Sequence, residues 1–199
     1  MKKEKDPIKE SRLLSSAFKL FIDKGFKETS IQEIVDDAGV AKGTFYTYFK
    51  DKYELRNVLI ARKSNKLFND AYKALQKTEL KNIDEQVIFV IDYIIDALTK
   101  NHLLLQFITK NLSWGIYAKA INELYQNNEA TENNVYQLFL NGINEQNIKL
   151  ENPEVTFYMI IELVSSTCFN STWYKEPLPI NEFKPYLYKA IKNLIRENK

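Results

Sequence analysis

The stretch that decides the fold, residues 29–55, reads TSIQEIVDDAGVAKGTFYTYFKDKYEL. Its first residues offer two capping boxes, Ser30 with Glu33 and Thr29 with Gln32, and either pair predicts the start of a helix. Four apolar residues then follow at the spacing i, i+3, i+4 and i+7, which is typical of one helical face. The pattern therefore predicts a short amphipathic helix that begins near residue 30.

A glycine-containing turn separates this helix from a second one. Gly39 ends the first helix, and Val40 begins the turn. The second helix carries Phe45 and Phe49 on one face, four residues apart. Two short helices joined in this way form a helix-turn-helix, whose second helix lies in the major groove of DNA. Periodicity alone is equally compatible with a plain pair of amphipathic helices.

The other faces of the second helix carry residue types that bind DNA. Lysine supplies positive charge to phosphates, and the hydroxyl groups of Thr and Tyr reach phosphates or base edges. A glycine lets the backbone come close to a partner. These candidate residues are Lys42, Gly43, Thr44, Tyr46, Thr47 and Tyr48.

Charge is distributed unevenly along the chain. Residues 1–66 hold 15 Lys and Arg against 10 Asp and Glu, whereas residues 67–199 hold 13 against 16. A basic first third followed by a slightly acidic remainder indicates an anionic partner for the N-terminal part only.

Together, these residues resemble the DNA-binding signature of the TetR family in order and spacing. The matching positions are Thr29-Ser30-Ile31, Ile34, Ala38-Gly39-Val40, Lys42-Gly43-Thr44-Phe45-Tyr46, Tyr48-Phe49, Lys52 and Leu55. The resemblance implies an all-α fold with a three-helix DNA-binding domain over residues 1–52 and its helix-turn-helix at about 30–49. A larger helical domain for ligand binding and dimerisation would occupy residues 53–199.

The resemblance also implies individual DNA contacts. Thr29 or Ser30 would cap the helix that begins near residue 30 and meet a phosphate, and Lys52 would hold the DNA backbone from the start of the helix that follows the helix-turn-helix. The full predicted set is Thr29, Ser30, Lys42, Gly43, Thr44, Tyr46, Thr47, Tyr48 and Lys52. Ala41 departs from the family pattern, which often has Ser or Thr there. Because alanine can neither cap a helix nor donate a hydroxyl group, we expect no polar side-chain contact from it.

Two long apolar helices are expected near the C-terminus. Asn152 and Pro153 predict the start of a helix that runs to about Trp173, and a final helix covers roughly residues 183–197. In the TetR family, the last two helices pack against their copies in a homodimer. The implied interface comprises Phe157, Ile160, Ile161, Val164, Cys168, Tyr186, Leu187, Ala190 and Ile191. The alternative is that these side chains face their own core.

The middle helices of the TetR family hold a small-molecule effector. Pockets combine aromatic walls with a few polar groups. Candidate lining residues on this basis are Tyr93, Phe107, Asn111, Trp114, Tyr117, Tyr136, Phe139 and Trp173. Plain core packing is the alternative for each. Asp92 and Asp96, one helical turn apart, either attract a cationic ligand or form a solvated edge.

Patterns typical of enzymes and of membrane proteins are missing from the sequence. His102 is the sole histidine, and we find neither a phosphate-binding loop nor a nucleophile elbow. We therefore predict no catalytic residue, metal site or cofactor. One cysteine, no signal peptide and no apolar run of about 20 residues indicate a cytoplasmic protein without a membrane partner.

The sequence thus predicts a homodimeric regulator that binds a nearly palindromic operator in double-stranded DNA and is released by a small molecule. Two alternatives remain open. The first is an activator, or a regulator without an inducer, of the same fold. The second is a helical carrier or enzyme with a vestigial DNA-binding region.

Overall fold

The computed structural model describes residues 6–111 and 135–196, and every regular element in these two ranges is helical. The helices are α1 (Pro7–Asp23), α2 (Ile31–Ala38), α3 (Lys42–Tyr48), α4 (Lys52–Leu75), α5 (Ile83–Lys100), α6 (His102–Asn111), α7 (Val135–Glu145), α8 (Pro153–Trp173) and α9 (Ile180–Arg196). The predicted all-α fold class is confirmed. Within the described ranges, no helix is long and apolar enough to span a bilayer.

The chain divides into two compact units, Met1–Arg62 and Lys63–Lys199. Helix α4 begins in the first unit and ends in the second. A functional boundary at residue 52 stays a prediction.

The first unit is built around a small apolar core. Asp6 caps the start of α1, and its carboxylate accepts a hydrogen bond from the backbone of Ile8 at 2.9 Å. Helices α1 to α4 then direct their apolar stripes inward. Apolar side chains with at most 2% exposure in this core are Leu13, Ala17, Ile34, Val35, Ala38, Phe45, Phe49, Leu55, Ile60 and Ala61.

In the second unit, sequence signals fix the ends of the long helices. The side chain of Asn152 accepts a hydrogen bond from the backbone of Val155 at 3.1 Å, and α8 runs from Pro153 as predicted. Helix α9 starts three residues earlier than expected, at Ile180, because the carbonyl of Pro179 accepts its first backbone hydrogen bonds.

Ion pairs join α5 to α9 within this unit. The ammonium of Lys184 lies 2.6 Å from a carboxylate oxygen of Asp92 and also pairs with Asp96. Tyr188 donates its hydroxyl hydrogen to Asp92. Burial alone would raise the pKa of Asp92, but the hydrogen bonds from Lys184 and Tyr188 outweigh it and lower the pKa. One lysine of the same chain therefore offsets one of the two negative charges, and the carboxylates, which are 44% and 50% exposed, lie at a partly solvated edge of α5. A cationic ligand is not needed to explain them.

Candidate nucleic-acid interface

Helix α2 is fixed at both ends by its own sequence. The Ser30 hydroxyl accepts a hydrogen bond from the backbone of Glu33 at 3.2 Å, and the Glu33 carboxylate accepts one from the backbone of Ser30 at 2.9 Å. Of the two predicted capping boxes, this is the one that forms. Gly39 ends the helix with φ of 62°, a left-handed conformation that suits glycine. The helix therefore holds a defined position for the turn that leads into α3.

Electrostatics strengthen this cap. The Lys24 ammonium, followed by the backbone and hydroxyl groups of Ser30, lowers the pKa of Glu33 to about 2. A carboxyl group with a depressed folded-state pKa stabilises the fold above its ordinary value of 4.5, and this contribution is lost as the pH falls towards 2.

We therefore expect Glu33→Gln to lower the melting temperature at neutral pH. The difference from the parent protein should shrink as the pH falls below about 4.5, because the parent then loses the same interaction. Thermal melting across this pH range measures the effect. Glu28→Gln, which removes an exposed carboxylate in the preceding loop, serves as the control. A difference that stays constant with pH would contradict the assignment.

Helix α3 has two chemically different faces. Phe45 and Phe49 are 0% and 2% exposed, and their ring centroids lie 5.7 Å apart. Tyr46, adjacent to Phe45, is 53% exposed. Lys42, Gly43, Tyr46 and Thr47 share the exposed side, while Thr44 is half-buried at its edge. Ala41 precedes the helix without a side-chain cap, as its residue type requires.

Three of the predicted contacts bind groups of their own chain, and Thr29 is the first. Its side chain is 1% exposed, and its hydroxyl donates to the carbonyls of Gly25 at 2.8 Å and Leu20 at 3.2 Å. Thr29 therefore ties α1 to the start of α2. Because Ser30 is the capping residue, the prediction that the Thr29 hydroxyl meets a phosphate is withdrawn.

Tyr48 belongs to the inner face of α3. It is 9% exposed, and its hydroxyl accepts from the backbone N–H of Asp6 at 2.8 Å and donates to the carbonyl of Asp6 at 3.0 Å. Tyr48 follows Phe45 by three residues and so lies on the same side of the helix. Its hydroxyl is engaged with the beginning of α1, which corrects the prediction of an outward contact.

Lys52 is also engaged within the chain. Its ammonium donates to the carbonyls of Phe26 at 2.7 Å, Lys27 at 3.2 Å and Thr29 at 2.6 Å. It also lies 4.6 Å from the centroid of the Phe26 ring. An ammonium has three donors, and all three are used within the chain. Lys52 therefore holds the loop between α1 and α2, and its predicted contact with the DNA backbone stays a prediction.

The predicted ligand residues are scattered in the second unit. A larger cavity of about 380 Å³ is lined by residues of α4, α5, α7 and α8, including Phe68, Tyr72, Gln86 and Phe139. Among the candidates, Phe139 lines it, and the four that do not are Tyr93, Phe107, Tyr136 and Trp173. Asn111, Trp114 and Tyr117 have side chains outside the described residues.

Each of those four has another place in the structure. Tyr93 and Trp173 are 37% and 43% exposed, and so face outward. Phe107 is buried away from the cavity, and Tyr136 packs its ring against Phe157 at 5.2 Å. Sequence reasoning missed Phe68 and the other α4 residues of the cavity because nothing in their spacing separates lining from core.

Most of the predicted dimer residues are buried within their own protomer. Exposure of 5% or less excludes an intersubunit contact for Phe157, Ile160, Cys168, Leu187 and Ile191. Ile161 and Val164 are half-buried and line cavities, whereas Tyr186 and Ala190 are exposed. Helix α8 is apolar on all sides, so its sequence could not show which side faces its own core.

Exposed apolar side chains nevertheless follow one side of each of these two helices. On α8 they include Val155, Tyr158 and Met159, at 47%, 41% and 40% exposure. On α9, Tyr186 is 67% exposed and Ala190 lies one turn later. These five residues define an outer apolar surface.

Comparison with known proteins identifies the family. A model described as bacterial regulatory proteins, tetR family, matches residues 13–59. The transposon Tn10 TetC protein of Escherichia coli is 32% identical over 148 residues, which cover 65% of this chain and 73% of that protein. The HTH-type transcriptional regulator YhgD of Bacillus subtilis is 25% identical, with coverage of 85% and 86%.

Solved structures show the same fold. A TetR-family regulator from Syntrophomonas wolfei aligns with a TM-score of 0.67 and 18% identity over 94% of each chain. The regulator FadR from Bacillus subtilis, in complex with stearoyl-CoA, aligns with a TM-score of 0.61 and 18% identity over 93% of this chain and 97% of that one. With the helix-turn-helix and the match to TetC, these likenesses establish that the chain belongs to the TetR family of bacterial transcriptional regulators.

Proposed function

We propose that the protein is a dimeric repressor that binds a nearly palindromic operator and releases it when a small molecule occupies the larger cavity. The observation that carries the proposal is the two-faced helix α3. Its aromatic inner side is buried. Its outer side exposes four residues, Lys42, Gly43, Tyr46 and Thr47. Such an outer side suits the major groove and the phosphates beside it.

Gly43 supports this orientation. A Cβ atom added there would meet no heavy atom within 4 Å, so packing within the chain does not require a glycine. A residue without a side chain lets a helix approach the DNA closely. The proposed contacts are Ser30, Lys42, Gly43, Thr44, Tyr46 and Thr47.

A dimer follows from the way a helix-turn-helix reads DNA. Two copies bind two half-sites about one helical turn apart, and operator symmetry mirrors protein symmetry. The outer apolar surface on α8 and α9 supplies exposed apolar side chains that a two-fold interface would bury. We assign it, in place of the buried residues named from the sequence, to the contact between protomers.

For this reason, Met159→Glu should shift the protein from dimer to monomer at micromolar concentration. A charge at the centre of an apolar interface costs about 2 kcal/mol or more, which weakens association at least thirtyfold. Light scattering measures the change. Leu103→Glu, on α6 and 54% exposed, is the matched control and should leave the dimer intact. A dimeric Met159→Glu variant would place the interface elsewhere.

The larger cavity suits an effector. Its volume lies within the usual range for ligand pockets, and apolar walls surround a few amide and hydroxyl groups. Phe68, Tyr72 and Leu75, which line it, lie on α4, the helix that begins in the DNA-binding unit. Binding there can therefore favour one placement of that helix over another.

Thermodynamic linkage between effector binding and operator binding provides the test of this proposal. If an effector weakens operator binding, the operator must weaken effector binding by the same factor. A compound that raises the melting temperature is titrated into the protein with and without operator DNA. We expect about fivefold to 150-fold weaker binding in the presence of DNA. Equal affinity in both titrations would refute release by that compound.

A further inference from the structure

A smaller cavity lies beside the larger one in the second unit. It has a volume of about 70 Å³ and is lined by residues of α4, α5, α6 and α8. Most of the lining is aliphatic, including Leu67, Ile94 and Val164. Among the described lining residues, polar character comes from Ser64, Ser165 and Cys168.

The hydroxyl of Ser64 is an unsatisfied group in this apolar space. Ser64 is 3% exposed, and its Oγ has no hydrogen-bond partner among the described residues. Ser165, in the same wall, instead donates its hydroxyl hydrogen to the carbonyl of Ile161 at 2.5 Å. Buried polar groups are nearly always paired, so an unpaired one needs an explanation.

A trapped water is a weak explanation for Ser64. A buried water normally makes about three hydrogen bonds and needs at least two polar partners. Here the Ser165 hydroxyl can only accept, because its hydrogen is already donated, and the Cys168 sulfur is a weak partner. A water would therefore have two good partners, Ser64 and Ser165, and would fall short of three hydrogen bonds. Burial raises the pKa of the Cys168 thiol to about 11, so the thiol stays uncharged. The cavity is therefore better suited to an apolar molecule that brings one hydrogen-bonding group to Ser64.

The two cavities share a wall. Phe68, Ile91, Ile160 and Ile161 line both of them, so rotation of these side chains connects the two spaces. Along α4, the lining extends from Ser64 to Leu75, a rise of about 16 Å in an α-helix. The two spaces together therefore follow α4 lengthwise.

Polar groups reappear at the other end of this space. Gln76, Thr78, Gln86 and Asn141 line the larger cavity there, together with Glu145. Among the described lining residues, Glu145 carries the one formal charge, and no lysine or arginine is present to pair with an anion. Gln76, Asn141 and Glu145 are exposed, so this end opens to solvent, and an anionic group there would face the like charge of Glu145 with no cation to offset it. These walls therefore disfavour anionic ligands.

We propose that the two cavities form one elongated site for an uncharged amphiphile. An aliphatic body crosses the wall formed by Phe68, Ile91, Ile160 and Ile161, and an inner hydroxyl or carbonyl group pairs with Ser64. The outer polar group lies among the amides of the larger cavity. This inference rests on the proposed function and specifies the chemistry of its effector.

Two probes test the role of Ser64 in the full-length protein, 1,10-decanediol and 1-decanol, by titration calorimetry. The diol can pair with Ser64 and still place a hydroxyl group among the outer amides, so we expect it to bind several-fold to about tenfold more tightly. Ser64→Ala should abolish this preference. Ser165→Ala is the matched control and should retain it, because its hydroxyl is already paired. Equal affinities in the parent protein, or no binding of either probe, would overturn the inference.

A third probe tests the charge requirement. Decanoate has the same chain length as decanol and carries a carboxylate, so we expect it to bind at least tenfold more weakly than decanol. Tighter binding of decanoate would contradict an uncharged ligand.

Operator titration in the presence of each probe separates this inference from the proposed function. If the diol binds through Ser64 but leaves DNA affinity unchanged, the site stands and ligand release fails. If the diol releases DNA equally well from the parent protein and from Ser64→Ala, the repressor function stands and the Ser64 site fails.

Discussion

Phe45→Ala should unfold or loosen the DNA-binding unit. Phe45 is fully buried in a small core, and its ring packs against that of Phe49. Truncation of a buried phenylalanine usually costs about 3–5 kcal/mol, a large fraction of the stability of a small unit. Operator binding is then lost because the reading helix is no longer held in place. Thermal melting and operator titration, carried out on the same sample, measure both effects.

Tyr46→Ala is the matched control for that experiment. Tyr46 is the next residue along and is 53% exposed, so its removal should leave the melting temperature nearly unchanged. It should still weaken operator binding, because the ring and the hydroxyl group are lost from the proposed contact surface. If Tyr46→Ala unfolds the unit while Phe45→Ala does not, the two faces of α3 have been assigned in reverse.

Operator affinity should fall steeply with salt. Six to ten phosphate contacts cost about a thousandfold to a hundred-thousandfold in affinity between roughly 50 and 200 mM salt. The excess of positive charge in residues 1–66 makes a dimer of this chain a candidate for that range. Affinity measured by fluorescence anisotropy over a salt series gives the slope. A nearly flat slope would contradict the electrostatic account.

Lys42→Ala identifies one source of this dependence. If Lys42 meets a phosphate in each half-site, the variant loses about two units of slope across the dimer. If it meets a guanine instead, discrimination between sequences falls and the slope changes little. Lys192→Ala, an exposed lysine on α9, is the control and should leave both quantities unchanged.

The sequence predicted the helices well because their signals are local. The capping box at Ser30, the proline at the start of α8 and the spacing of Phe45 and Phe49 each act within one or two turns. Such features are set by backbone hydrogen bonds and by a single apolar face, both of which can be read from neighbouring residues.

Amphipathic side chains account for the contacts within the DNA-binding unit that the sequence did not predict. Tyr48 and Lys52 combine a long apolar part with a polar end, and either end can face the core. The direction that each polar end takes depends on groups far away in the sequence, namely the backbone of Asp6 and the carbonyls of Phe26 and Thr29. In the second unit, the distant partner of the paired carboxylates Asp92 and Asp96 is Lys184.

Helix α8 shows a different limit. It is apolar all round, so Phe157, facing the larger cavity, and Met159, facing outward, cannot be told apart by periodicity. The sequence could not predict the unpaired hydroxyl of Ser64 either, because serine in a helix often donates to a carbonyl of its own preceding turn. Both features depend on how the helices pack against one another.

Nuclease footprinting on the DNA upstream of the gene tests the central claim most directly. At physiological salt, we predict one protected stretch made of two symmetric halves about one helical turn apart. Protection should be lost with Tyr46→Ala and retained with Lys192→Ala. Equal binding to a scrambled duplex, or full protection by Tyr46→Ala, would contradict the claim that the outer face of α3 reads an operator.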